Sequence, residues 1–181
     1  MSSAFLQVGL FLVNFVFGFY IMLLMLRFLL QWVKADFYNP ICQFLIRLTN
    51  PLLVPLRRVI PGFFGLDMAA VVLMVILQLL ELYLLSLLTH FPASAWMIAA
   101  AVLKLLQLLL NVYFFAIIIR AIISWLNPHP LHPGYIILCQ LTEPVLAPAR
   151  KIIPTISGID LSPLVVLVLL QVLSIFLQVL I

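Results

Sequence analysis

The chain carries one nineteen-residue stretch twice, at an offset of 93 residues and with no gap needed. The first copy is Thr49-Asn50-Pro51-Leu52-Leu53-Val54-Pro55-Leu56-Arg57-Arg58-Val59-Ile60-Pro61, followed by Gly65-Leu66-Asp67. The second keeps Thr142, Pro144, Leu146, Pro148, Arg150-Lys151, Ile153-Pro154, Gly158 and Asp160, and nine of the nineteen positions are identical. Ungapped self-similarity of this kind means two copies of one structural unit, so whatever one half folds into the other must match. That is a strong constraint on architecture. It carries no nucleophile–base pair and names no reaction.

What surrounds the two copies decides the solvent. Of the 181 residues, 67% are hydrophobic and 8% charged, against roughly 45–50% and about 25% in soluble domains. A chain of this size cannot hide that much apolar surface in its own core, so lipid must cover part of it. The formal charge of +4 comes from cations spread singly or in pairs, without the basic stripe or arm of a nucleic-acid binder. Cys42 and Cys139 fall at different places in the repeat and form neither a disulfide framework nor a zinc motif. His129 and His132 stand among prolines that disfavour a helix, and no Cys or acid completes a metal set with them. No metal and no cofactor is expected.

Ala4 to Leu26 is apolar except for Gln7 and Asn14, long enough to cross a hydrocarbon core of about 30 Å. Without a basic leader region or a small-residue cleavage site it reads as a first membrane helix rather than a signal peptide. The expected first unit is 1–91, with membrane helices near 4–33 and 68–88 and an interfacial segment near 39–61. The second is 92–181, with membrane helices near 94–125 and 161–181 and an interfacial segment near 133–154. His90-Phe91-Pro92 marks the turn between them.

Within the first interfacial segment, Asn39-Pro40 suits a helix start, with Asn as cap and Pro in the first turn. Ile41, Phe44, Leu45 and Leu48 then recur at helical spacing, which predicts a short amphipathic helix lying in the interface plane. Pro51 and Pro55 cannot donate to the carbonyls four residues back. The expected result is a break near Asn50-Pro51 and a second short helix near Leu53–Ile60, ended by Pro61. Asp67 and Asp160 are placed to cap the membrane helices that follow.

The cations set the orientation. Arg27, Lys34, Arg47, Arg57, Arg58, Arg120, Arg150 and Lys151 all fall in or beside the two repeated segments, whereas the termini and the His90 turn carry no Lys or Arg. Both motifs are therefore expected on the cytoplasmic side and both termini on the periplasmic side. The fold class expected is an all-α membrane protein: four transmembrane helices in two parallel two-helix repeats, each with short cytoplasmic-side amphipathic helices between its membrane helices.

Three sets of polar residues are candidate sites. In the repeated cytoplasmic motif, Thr49, Pro51, Pro55, Arg57, Arg58 and Pro61, with Thr142, Pro144, Pro148, Arg150, Lys151 and Pro154, could meet anionic headgroups or a protein partner. Arg27 and Arg120 each precede a Trp (Trp32, Trp125) by five residues. They are either snorkelling side chains beside interfacial aromatics or ion-pair partners of Asp67 and Asp160. Glu81 and Lys104 lie equally far from a turn centred between Pro92 and Ala93, as do Gln78 and Gln107. An antiparallel hairpin would bring each pair to one depth, and an unpaired charge there costs at least about 2.5–3.5 kcal/mol. The pairs are thus expected as a ladder, either fixing helix register or lining an ion path.

The order Arg, Trp, Thr-x-Pro-x-x-x-Pro-x-Arg-[Arg/Lys]-x-Ile-Pro, Gly-[Leu/Ile]-Asp resembles the YggT family (YlmG/Ycf19-like), in its two-copy proteobacterial form. Gly158-Ile159-Asp160-Leu161-Ser162-Pro163 carries the family pattern in full, whereas the first copy departs from it at Met68-Ala69-Ala70. The resemblance implies a multi-pass bacterial inner-membrane protein without an established enzymatic activity. It implies a scaffold or assembly factor linked to osmotic and ion homeostasis, to cell-envelope and division organisation and, in plastids, to nucleoid distribution and cytochrome haem assembly. No His or Cys pair recurs in both halves to carry the haem role. A small channel or transport accessory built on Glu81, Lys104, Gln78 and Gln107 is the alternative. The partners expected are bilayer headgroups, other membrane proteins or a second copy of the chain, and no nucleic acid.

Overall fold

A computed structural model describes residues 2–63, 65–90, 96–126, 132–152 and 160–180. Those residues form six helices: α1 (Ser2–Trp32), α2 (Pro40–Arg57), α3 (Met68–Thr89), α4 (Trp96–Leu126), α5 (Pro133–Ile152) and α6 (Ser162–Leu180). Four of them, α1, α3, α4 and α6, are long and apolar enough to cross a membrane. Packing within the chain buries only 22% of the apolar window in each of the first three and 17% in α6. The accessible surface is 11642 Å², well above the roughly 8,900 Å² of a soluble monomer of 20.5 kDa. The excess is apolar side chain that lipid must cover, such as Phe11, Phe15 and Phe19, which stack one helical turn apart along the outside of α1.

The helices repeat the order spanning, interfacial, spanning. In the first unit α1 packs on α3 with α2 beneath them, and in the second α4 packs on α6 with α5 beneath. The units join through α3 against α4 and through α1 against α4 and α5. Helices α2 and α5 touch each other, so both re-entry segments lie at one end of the bundle and the units run parallel. At their meeting point the Asn39 side-chain amide donates to the Pro133 carbonyl (2.9 Å). Gly134 packs closely beside it: a Cβ there would sit 3.1 Å from His132 Nδ1 and 3.3 Å from the Ile41 side chain, so either side chain would have to shift.

One expectation fails here. The chain does not break at Asn50-Pro51: α2 runs on through Pro51 and Pro55, and α5 through Pro144 and Pro148. Each proline forfeits one backbone donor, yet the turn is held by tertiary contacts on its buried side. Cys42, Leu45, Thr49 and Leu53 of α2, and Ile137, Leu141, Thr142 and Leu146 of α5, are buried against the membrane helices. An arginine from the preceding spanning helix also reaches each interfacial helix near its first internal proline, as described below. The expected lipid-facing stripe is divided as well: Leu45 turns inward, while Ile41, Phe44 and Leu48 stay exposed.

Local signals explain the ends. Asn39 accepts from the Ile41 amide (3.0 Å) with Pro40 in the first turn of α2. At the equivalent place in α5 the acceptor is His132 Nδ1, 3.1 Å from the Gly134 amide, so this histidine serves as a helix cap. Helix α1 closes with Lys34 in the left-handed region (φ 53°). There Ala35 donates to Leu30 and Lys34 to Gln31, the pattern of a Schellman cap. His90 ends α3 in the same conformation. The turn expected at Phe91-Pro92, as well as His129, Pro154 and Gly158, lies outside the described residues.

Candidate functional site

Where α1, α2 and the loop into α3 converge, the duplicated motif builds a polar cluster within apolar walls. Its first component is a threonine. Thr49, fully buried on α2, donates to the Leu45 carbonyl (2.6 Å) and accepts from Arg27 of α1. Arg27 also reaches the Ile46 carbonyl (3.4 Å), next to the Arg47 carbonyl that Pro51 leaves without its helical donor. The second unit reproduces each contact. Thr142 donates to Leu138 (2.7 Å), and Arg120 donates to Thr142 (2.7 Å) and to the Cys139 carbonyl (3.4 Å).

The second component is an ion pair across the loop. Arg57, the last residue of α2, is paired with Asp67 Oδ2, and Asp67 Oδ1 caps α3 through the Ala70 amide (3.3 Å). In the second unit Arg150 Nε donates to Asp160 Oδ2 (2.8 Å), and Asp160 Oδ1 accepts from the Ser162 amide (2.9 Å). Each aspartate thus joins the interfacial helix to the start of the returning spanning helix. Arg27 and Arg120 are not their partners, contrary to one of the two sequence expectations: the arginines of the spanning helices are drawn to the threonines, and those of the motif take the acids. Asp160 is held below the usual carboxylate range, because the hydrogen bonds from Ser162 and the charge of Arg150 outweigh the opposing effect of burial.

Within the duplicated motif the units differ at one charge. Asn50 of the first unit corresponds to Glu143 of the second. Glu143 bridges both arginines, accepting from Arg120 at 2.8 Å and Arg150 at 2.9 Å. In the first unit Asn50 stands in the wall of a cleft of about 570 Å³, together with Arg27, Arg57, Asp67, Leu30, Leu45 and Ile46. The sequence singled out neither Asn50 nor Glu143, although aligning the two copies exposes the change of charge.

Of the remaining motif residues, Pro51, Pro55, Arg58, Pro61, Pro144, Pro148 and Lys151 are exposed. Beside the cations, Val59 (80% exposed) and Ile152 (81% exposed) occupy equivalent positions.

At membrane depth, Lys104 of α4 pairs with Glu81 of α3 at 3.0 Å, as their spacing in the sequence predicts. Gln78 does not meet Gln107. It donates instead to the second Glu81 oxygen (2.7 Å), and Gln107 turns the other way, to Ser174 of α6 (2.5 Å) and Asn111 (3.3 Å). The hairpin sum rule places residues at one depth and does not set their rotation about the helix axis. Lys104 and Gln107 lie on one side of α4 and serve different neighbours. Together with Gly18, Ile21 and Asn111 these residues line a shallow cavity of about 300 Å³.

Comparison with known proteins gives a consistent result. The family model described as CCB3/YggT matches twice, over residues 6–88 and 99–181. A Pseudomonas aeruginosa protein described as uncharacterized is 41% identical over 148 residues, covering 80% of this chain and 75% of its own length. The protein described as uncharacterized protein YggT of Escherichia coli strain K12 is 36% identical over 164 residues, covering 91% and 86%. A shorter match, 35% over 57 residues and 31% of this chain, is to the Arabidopsis thaliana chloroplast protein CCB3, whose name describes cofactor assembly of complex C; it covers 33% of that protein. No solved structure matches.

Proposed function

The chain belongs to the CCB3/YggT family, and from that premise we propose that it is a non-catalytic scaffold or assembly factor of the bacterial inner membrane. Its working surface is the end of the bundle where α2 and α5 meet, facing the cytoplasm, with both termini periplasmic. The observation that carries this reading is the duplicated exposed pair: Arg58 beside Val59, and Lys151 beside Ile152. A cation next to an exposed aliphatic side chain suits a protein partner resting on the headgroup layer, where anionic lipid adds about 1 kcal/mol per cation. The assembly role in the name of the Arabidopsis relative points the same way, and the proposed role extends to osmotic and ion homeostasis or to cell-envelope and division organisation.

The test is photocrosslinking in native membranes from probes at Val59 and at Ile152. One protein partner captured from both positions, and lost in Arg58→Ala with Lys151→Ala, is the expected result. Capture of lipid alone would remove the scaffold reading.

A second reading, a small channel or transport accessory, draws on the cavity at Glu81, Lys104, Gln78 and Gln107. Against it, both Glu81 oxygens are already engaged, by Lys104 and Gln78. Ion flux through reconstituted protein that disappears in Glu81→Gln would favour it over the scaffold.

A further inference from the structure

We propose that the cleft of the first unit is a binding site for a phosphate group, with Arg27 and Arg57 as its cationic ligands, and that Glu143 fills the corresponding place in the second unit. The proposal stands independently of the scaffold reading.

The protein supplies its own comparison. Arg27, Thr49, Arg57 and Asp67 of the first unit correspond to Arg120, Thr142, Arg150 and Asp160 of the second, and the contacts among them are the same. Within the duplicated motif the charged position that differs is Asn50 against Glu143. In the second unit two guanidinium groups face two carboxylates, and Glu143 lies within 2.9 Å of both arginines. In the first unit the ion pair at the cleft is Arg57 with Asp67. Arg27 is only 7% exposed, and among the described residues no carboxylate lies at ion-pair distance from it.

A buried guanidinium without an anion is costly, and here the uncompensated charge faces a cleft rather than packed side chains. One net positive charge matches the single negative charge of a phosphodiester, and arginine forks are suited to phosphate oxygens. The cleft, about 570 Å³, falls in the range of ligand sites. Leu30, Leu45 and Ile46 on its walls suit the apolar part of a phospholipid. A free phosphate would satisfy the same arginines, so the two sources are separated by the test.

The purified full-length chain in zwitterionic detergent is examined by native mass spectrometry and thermal unfolding, with phosphatidylglycerol, phosphatidylcholine or inorganic phosphate added. One retained phosphatidylglycerol per chain is expected, with a rise in melting temperature that phosphatidylcholine does not reproduce. If inorganic phosphate gives the same rise and displaces the lipid, the site takes the free anion; if it does neither, the lipid headgroup is the ligand. Asn50→Glu recreates the second unit's arrangement. It should weaken binding at least tenfold while leaving the lipid-free melting temperature equal to or above that of the wild type, and Asn50→Gln should still bind. The proposal is overturned if neither phosphate probe binds better than phosphatidylcholine, if Asn50→Glu binds like the wild type, or if Asn50→Glu fails to fold.

Discussion

Thr49 and Thr142 each hold a hydroxyl between an arginine and a helix carbonyl, fully out of solvent. Replacing Thr49 with Val keeps the shape and removes both hydrogen bonds. An unmet buried donor costs about 1–3 kcal/mol, so Thr49→Val should lower the melting temperature in detergent, and Thr49→Ser should restore most of the loss. An unchanged melting temperature in Thr49→Val would show that Arg27 does not depend on this contact. Asp160 gives a pH signature. Because its folded-state pKa is depressed, its contribution to stability is present above the unfolded value and is lost as the pH falls below about 4 through the folded value. The wild type should lose melting temperature over that acid range, and Asp160→Asn should show a flatter profile; parallel profiles would contradict the Asp160–Arg150 link. Which arginine takes which acid was not legible in the sequence. Arg57 and Asp67 are ten residues apart, and only the loop between α2 and α3 brings them together.

Among the elements, the interfacial helices show most clearly where local signals lose to packing. Cap and periodicity signals place the start of α2 at Asn39-Pro40, where the structure has it. The proline signal, which favours a break, is overridden because Leu45, Thr49 and Leu53 lie on one buried stripe that only a continuous helix can present. It follows that the prolines are not needed to make a break. Pro51→Ala, which restores one backbone donor, should leave the fold intact and the melting temperature equal or higher; a marked fall would mean that the proline is itself required. At membrane depth the pairing of Glu81 with Lys104 was legible, because an antiparallel hairpin fixes depth. The partners of Gln78 and Gln107 were not, because they depend on helix rotation and on Ser174 of the other spanning helix, α6. Glu81→Lys should strongly destabilise the chain, by at least about 2.5–3.5 kcal/mol for the unpaired charges. Adding Lys104→Glu should recover much of that loss in thermal unfolding; no recovery would argue against the pair.

For the whole molecule, the duplication with its offset of 93 residues carried most of the architecture. Two similar units, each entering and leaving the membrane once, bring the second motif back to the side of the first. What the sequence could not show is that the two interfacial helices touch, or that Glu143 bridges both arginines of the second unit while Asn50 stands in the wall of a cleft in the first. The most direct measurement of this arrangement is crosslinking in intact membranes. Cysteines replace Asn39 and Pro133, whose contact joins α2 to α5, in a chain otherwise lacking Cys42 and Cys139. A short bis-maleimide should link the two sites within one chain, and a membrane-impermeant thiol reagent should block both from the same face of the membrane. Failure to crosslink, or blocking of the two sites from opposite faces, would contradict the parallel duplication.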